Sequence, residues 1–168
     1  MQSQKEMINN KPIVVAVSGG FDPIHPGHVR MFKEAKALGD KLVVILNNDN
    51  WLQKKKKYSF MGEKERKEVI EGIRWVDEVQ ITRHAKDTDD MSVCEALARL
   101  KPDIFANGGD RVKTNIPEVE LCRRLGIKMV FNVGEGGKIQ SSSWLIEKAA
   151  RNAPRKVDVT IKNGKARK

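Results

Sequence analysis

Short β-branched apolar runs alternate along this chain with longer stretches whose apolar residues recur every three or four positions. "IVVAVS", 13–18, reads as a buried strand, and residues 27–38 behind it as a helix with Val29, Phe32, Ala35 and Leu38 on one side. "KLVVILN", 41–47, is a second strand. Residues 48–61 are polar and basic and read as a loop. A helix over 62–75 follows, with Val69, Ile70 and Ile73 sharing a face. Three more strands are expected at 77–82, 103–108 and 128–133, and three more helices at 90–100, 116–126 and 141–151. Gly126 stands where a helix C-terminus favours glycine, and serines open the last helix as a cap. Trp144 and Leu145 read as core. Beyond Asn152 the periodicity is lost, and "VDVTIKNGKA" reads as a small hairpin about Asn163-Gly164 or as disordered chain.

Alternating strands and helices, with connections long enough for right-handed crossovers, predict an α/β fold. The expectation is a Rossmann-like doubly wound sheet of about five parallel strands with helices on both faces. The domain spans 11–151, and 152–168 form a basic C-terminal tail. In such sheets ligands bind beyond the carboxyl ends of the strands. Those ends carry "SGGFDPIH", "NND", "NGGD" and "GEGGKIQSSS", all polar and three of them glycine-rich.

Charge narrows the ligand. The net charge is +10, which favours an anionic partner. Part of it lies in Lys54–Lys57 and part in the tail. The tail has no aromatic residue to stack bases, so nucleic acid is not the expected partner. Cys94 and Cys122 lack any metal-site spacing and read as free thiols. The N-terminus lacks a signal-peptide core, and no apolar run approaches the length of a membrane helix. A cytoplasmic protein with no membrane span is expected.

The turn after the first strand carries the candidate chemistry. "SGGFDPIHPGH", 18–28, matches neither a Walker loop nor a dinucleotide fingerprint. It places His25-Pro26-Gly27-His28 at a helix entrance. Pro26 suits the first helical position, and Gly27 permits close approach to the backbone. His28 falls in the first turn, beside free N–H groups and the positive end of the helix dipole, where phosphate binds. Zinc is disfavoured, because His84 is the only other histidine.

"GGFDPIHPGHVRMFKEAKALGDKLVVILNND" resembles the cytidylyltransferase-like nucleotidyltransferases, whose signature is His-x-Gly-His on the first strand–helix turn. "YSFMGEKERKEVIEGIRWVDEV", "KPDIFANGGD" and "IQSSSWLIEK" are similar to three further family motifs in the same order, so the resemblance covers roughly 13–148. It implies transfer of NMP from an NTP to a phosphorylated small molecule, with release of pyrophosphate, Mg²⁺ bound through the phosphates rather than by protein ligands, and a homodimer.

By the same resemblance His25 and His28 stabilise the reacting α-phosphate, and Lys55 and Lys57 reach it and the acceptor. Gly19, Gly20, Phe21 and Gly27 admit the nucleotide. Asp22 serves loop geometry or metal. Gly108, Gly109 and Asp110 approach base or ribose, and Ser141, Ser142 and Ser143 cradle the β- and γ-phosphates. Arg66, Arg74, Asp49 and Lys138 are further candidates. The arginine that glycerol-phosphate enzymes carry before the serine helix is absent from "NVGEGGKIQ", where Lys138 is a point charge rather than a fork. The main expectation is CTP with glycerol 3-phosphate or a sugar phosphate as acceptor. The alternatives are a heptose-1-phosphate or FMN-type adenylyltransferase, or a catalytically silent nucleotide-binding module.

Overall fold

Residues 11–109, 117–134 and 141–153 are described by a computed structural model of the chain. Five strands, β1 (Val14–Gly19), β2 (Lys41–Leu46), β3 (Glu78–Ile81), β4 (Ile104–Gly108) and β5 (Lys128–Val133), form one sheet. All pairings are parallel, and the spatial order is β3-β2-β1-β4-β5. Six helices accompany them: α1 (Pro26–Lys36), α2 (Asp49–Lys56), α3 (Glu63–Glu71), α4 (Cys94–Leu100), α5 (Glu118–Leu125) and α6 (Ser142–Asn152). The Rossmann-like α/β architecture is as expected.

Strand alternation sorts the core into two layers. Val15 and Val17 of β1, with Leu42, Val44 and Leu46 of β2, pack against Phe32 and Ala35 of α1 and Ile70 of α3. Ala16, Ile45 and Phe105 point the other way, onto Ala96 and Leu97 of α4 and Leu121 and Cys122 of α5. The sheet is thus wound on both faces, and its strand order reverses between β1 and β4.

Three expectations need correction. The loop expected over 48–61 contains α2. Its single fully buried apolar residue, Leu52, leaves no periodicity to read, and the helix depends on a cap instead: Asn48 Oδ1 accepts the Trp51 N–H at 3.0 Å. The helix over 62–75 stops at Glu71, and its inner face carries Arg66 and Ile70 while Val69 is 43% exposed. Trp144, expected in the core, is 52% exposed on α6. Asp110, Lys138 and the Asn163-Gly164 segment of the tail lie outside the described residues.

Candidate functional site

The β1–α1 turn sits at the point where strand order reverses. His25 is the N-cap of α1 and Pro26 its first residue. The two imidazoles stack, with centroids 3.6 Å apart and planes 23° from parallel. Gly27 makes room for this: a Cβ there would lie 3.0 Å from His25 Cε1. His28 Nδ1 accepts the His25 backbone N–H at 3.3 Å, so the neutral ring carries its proton on Nε2. Burial, the adjacent His25 and then Lys56 hold the His28 imidazolium down to a pKa of about 3. Burial and Lys56 also lower that of His25. Both rings are therefore neutral at pH 7. Nδ1 of His25 is buried against the first turn of α1, 3.1 Å from where a Cβ on Gly27 would stand.

Among the described residues Lys56 is the lysine that reaches this turn. Its Nζ donates to the Asp22 carbonyl at 3.3 Å, and burial with the nearby Arg66 depresses its pKa although Asp22 opposes them. Lys55 and Lys57, the lysines expected at the site, are exposed. The helical turn of α2 explains this, because adjacent residues on a helix point about 100° apart.

Asp22 is fully buried, and its carboxylate accepts the N–H groups of Phe60 at 2.5 Å and Met61 at 2.9 Å. It serves loop geometry. Arg66 is also fully buried. Its guanidinium donates to the carbonyls of Gly20 (2.7 Å), Asn47 (2.8 Å) and Met61 (3.1 Å) and to the Asp49 carboxylate (2.7 Å). Asp49 also accepts the Glu63 N–H. Arg66 and Asp49 thus join the histidine turn, the end of β2 and the start of α2, rather than facing a ligand.

The glycines divide in the same way. A Cβ on Gly19 would meet the Phe21 ring at 2.8 Å, and one on Gly20 would meet Leu52 at 2.8 Å. Phe21 is buried edge-on to His28 and Phe32. These three positions are filled by the protein's own side chains. Gly108 is equally close to Met31, whereas Gly109, at φ +68°, faces open space.

The serines of α6 do approach the turn. Ser142 is buried, and its hydroxyl donates to the Pro23 carbonyl at 2.8 Å. Ser141 Oγ caps α6 by accepting the Trp144 N–H at 3.3 Å, and Ser143 is exposed. Two helix starts therefore meet across Pro23, a setting suited to phosphate. In α1 Pro26 has no N–H and the His28 N–H already donates to the His25 carbonyl at 2.9 Å, which leaves Gly27 as the donor of that turn. Arg74 is elsewhere. It lies beyond α3 at the opposite edge of the sheet, exposed, 5.5 Å over the Trp75 ring. The adjacent Asp77 and Glu78 are held by Lys36 and Lys41 at 2.6 Å, a structural clasp.

Among the described residues no group of three or more His, Cys, Asp or Glu could hold a metal ion, and none of their helices is long and apolar enough to cross a membrane. Cys94 and Cys122 are free; burial raises both thiols, Cys122 to about 11.

The chain is similar to proteins already known. The chain is 42% identical over 141 residues to the FAD synthase of Methanothermobacter marburgensis, covering 80% of this chain and 83% of that one. It is 36% identical over 124 residues to the FAD synthase of Pyrococcus abyssi, covering 73% and 80%. A solved structure, the lipopolysaccharide core biosynthesis protein of Thermoplasma volcanium, superimposes with a TM-score of 0.62 at 28% identity, over 75% of this chain and all of that one. The cytidylyltransferase-like family matches residues 16–143, from β1 through the serines that open α6; the chain belongs to that family and is a nucleotidyltransferase.

Proposed function

We propose that the protein is an FMN adenylyltransferase, transferring AMP from ATP to the phosphate of FMN to form FAD and pyrophosphate. The observation that carries this reading is the shared FAD synthase name of relatives 34–42% identical over most of the chain. They favour the FMN-type alternative over transfer of CMP to glycerol 3-phosphate.

The chemistry needs no strong base. A phosphate oxygen of FMN, already anionic, attacks the α-phosphorus of ATP while the bond to the bridging oxygen of pyrophosphate breaks. Catalysis is then positioning and neutralisation of charge. His28 donates its Nε2 proton as a hydrogen bond to the α-phosphate, and His25 adds a second imidazole. Lys56 supplies a cation at the same turn. Hydroxyls and free N–H groups at the start of α6 receive the β- and γ-phosphates. Magnesium fits as an ion carried by phosphate oxygens and water, because the carboxylates of Asp22 and Asp49 are committed to protein partners. It supplies charge neutralisation on the triphosphate.

The test is an incubation of the purified protein with Mg²⁺ and each pairing of ATP or CTP with FMN or glycerol 3-phosphate. Pyrophosphate and a dinucleotide are expected from ATP with FMN alone. Turnover of CTP with glycerol 3-phosphate, and none with FMN, would overturn the reading.

A further inference from the structure

A cavity lies away from the histidines. It has a volume of about 230 Å³ and lies between the end of β3 and the start of α4, with Val93 and Ala96, the polar His84, and the charged Arg83, Asp90 and Glu95 among its lining residues. Whole-ligand pockets run to roughly 300–1,000 Å³, so this one suits a ring system rather than a complete mononucleotide. Its floor is apolar, since Val93 and Ala96 belong to the buried core beneath it. Its walls are fixed. The His84 ring is held between Thr82 Oγ1 and the Ser92 carbonyl, each at 2.8 Å. The His84 carbonyl accepts the side-chain amides of Asn48 and Asn50 at 2.8 and 2.9 Å.

Helix α2 ties this cavity to the reaction centre. Trp51 donates its indole N–H to the Met91 carbonyl at 2.9 Å, on the loop that walls the cavity. The other edge of the indole would lie 3.5 Å from a Cβ on Gly20, in the histidine turn. One turn and a half further on, the same helix presents Lys56 to Asp22.

We propose that this cavity is the subsite for the planar heteroaromatic ring of the phosphorylated acceptor. The inference rests on the FMN reading and deepens it. In-line transfer requires the attacking phosphate to approach opposite the departing pyrophosphate. If α6, on the β5 side of the turn, receives pyrophosphate, the acceptor comes from the β2–β3 side, where the cavity is. Parallel strands lie about 4.8 Å apart, so the ends of β3 and β1 are separated by about 10 Å. A five-carbon chain of ~1.5 Å bonds spans about 7 Å, and its terminal phosphate covers the rest. The spacing therefore matches a flavin ring joined to its phosphate by a ribityl chain.

Ala85 is exposed at the cavity mouth and makes no part of the phosphate site. Ala85→Trp should close the cavity without disturbing the fold. The wild type and this variant are compared for FMN adenylylation, with KM measured separately for FMN and ATP, and for thermal shift with ATP. The expected result is a KM for FMN raised at least tenfold, with KM for ATP and the ATP-induced shift unchanged. Thr88→Trp, in the same turn, where the Thr88 N–H donates to the Ala85 carbonyl at 3.3 Å, should do the same. An unchanged KM for FMN in both variants would overturn the assignment while leaving the proposed function intact. A parallel rise in both KM values would also overturn it, as general distortion. A wild type that turns over no FMN would remove the function itself, and this subsite with it.

Discussion

Two helix starts face each other across Pro23, and they are held in opposite ways. The start of α1 is locked into the body of the protein. Arg66 grips the Gly20 carbonyl before it, Asp22 anchors the turn to Phe60 and Met61, and Phe32 and Ala35 sink the rest of the helix into the core. Among the described residues the start of α6 is held by less. Ser142 is its only buried residue, with one hydrogen bond to Pro23. Trp144, one turn in, lies mostly in solvent. The difference fits the two duties. In the proposed reaction, preorganised donors around the reacting phosphorus gain from rigidity, whereas the side proposed to hold the leaving pyrophosphate must let it go. Elements that open for product release come from the less stable part of a fold.

The largest way to break the contrast is Arg66→Met. It strands the carbonyls of Gly20 and Asn47 and unpairs Asp49, and should cost about 3–5 kcal/mol, read as a lower urea midpoint. A variant of unchanged stability would mean that the α1 half is not locked by this residue. His28→Ala comes next. It should leave the fold intact and lower kcat by about 10²–10³, the loss of one preorganised donor at ~3–4 kcal/mol. Lys56→Ala should lower kcat/KM by about 10–100-fold, the worth of a charge-assisted hydrogen bond, and Lys55→Ala hardly at all. Steady-state kinetics of the pair would show which lysine acts. Ser142→Ala, on the lightly held side, should cost about 1 kcal/mol and be visible mainly in KM for ATP.

The smallest effect at neutral pH is the titration of the histidine pair. The ordinary histidine pKa is 6.5, and that of folded His28 is about 3. Above pH 6.5 neither state binds the proton and stability is full. As pH falls from 6.5 toward 3 the unfolded chain takes up a proton that the folded one refuses, so stability declines across that window. Chemical denaturation of wild type and His28→Gln between pH 7 and 4.5 should show a shallower decline in the variant. Identical slopes would contradict the neutral stacked pair.

Much of this was legible from the chain because the elements that carry it are locally encoded. β1 and β2 are unbroken β-branched runs, and His25-Pro26-Gly27-His28 names its own helix start through a proline at the first helical position. The expected Gly126 stop is there, at φ +70°. Other features left no such trace. Helix α2 has one fully buried apolar anchor, so periodicity could not reveal it, and without a helix the four lysines could not be told apart. Arg66 reads from the sequence as a further candidate site residue because a charged residue on a helix is ordinarily exposed; its neighbours are carbonyls from three separate segments. Gly19 and Gly20 looked like openings for a nucleotide, and instead Phe21 and Leu52 occupy the space their missing side chains leave. The serines of α6 met the histidine turn through a contact spanning 119 positions, which no local pattern announces.

By itself, the order of residues determined the parallel α/β plan and the paired imidazoles at a helix start. Both follow from nearest-neighbour chemistry: β-branched runs extend, proline and glycine punctuate, and a first helical turn leaves its N–H groups free. Tertiary structure decided which lysine faces the histidines, that Asp22 and Arg66 brace the turn, and that a ring-sized cavity lies two strands away. Those outcomes depend on packing between distant segments, where burial alone settles whether a charged side chain meets a ligand or the protein's own backbone.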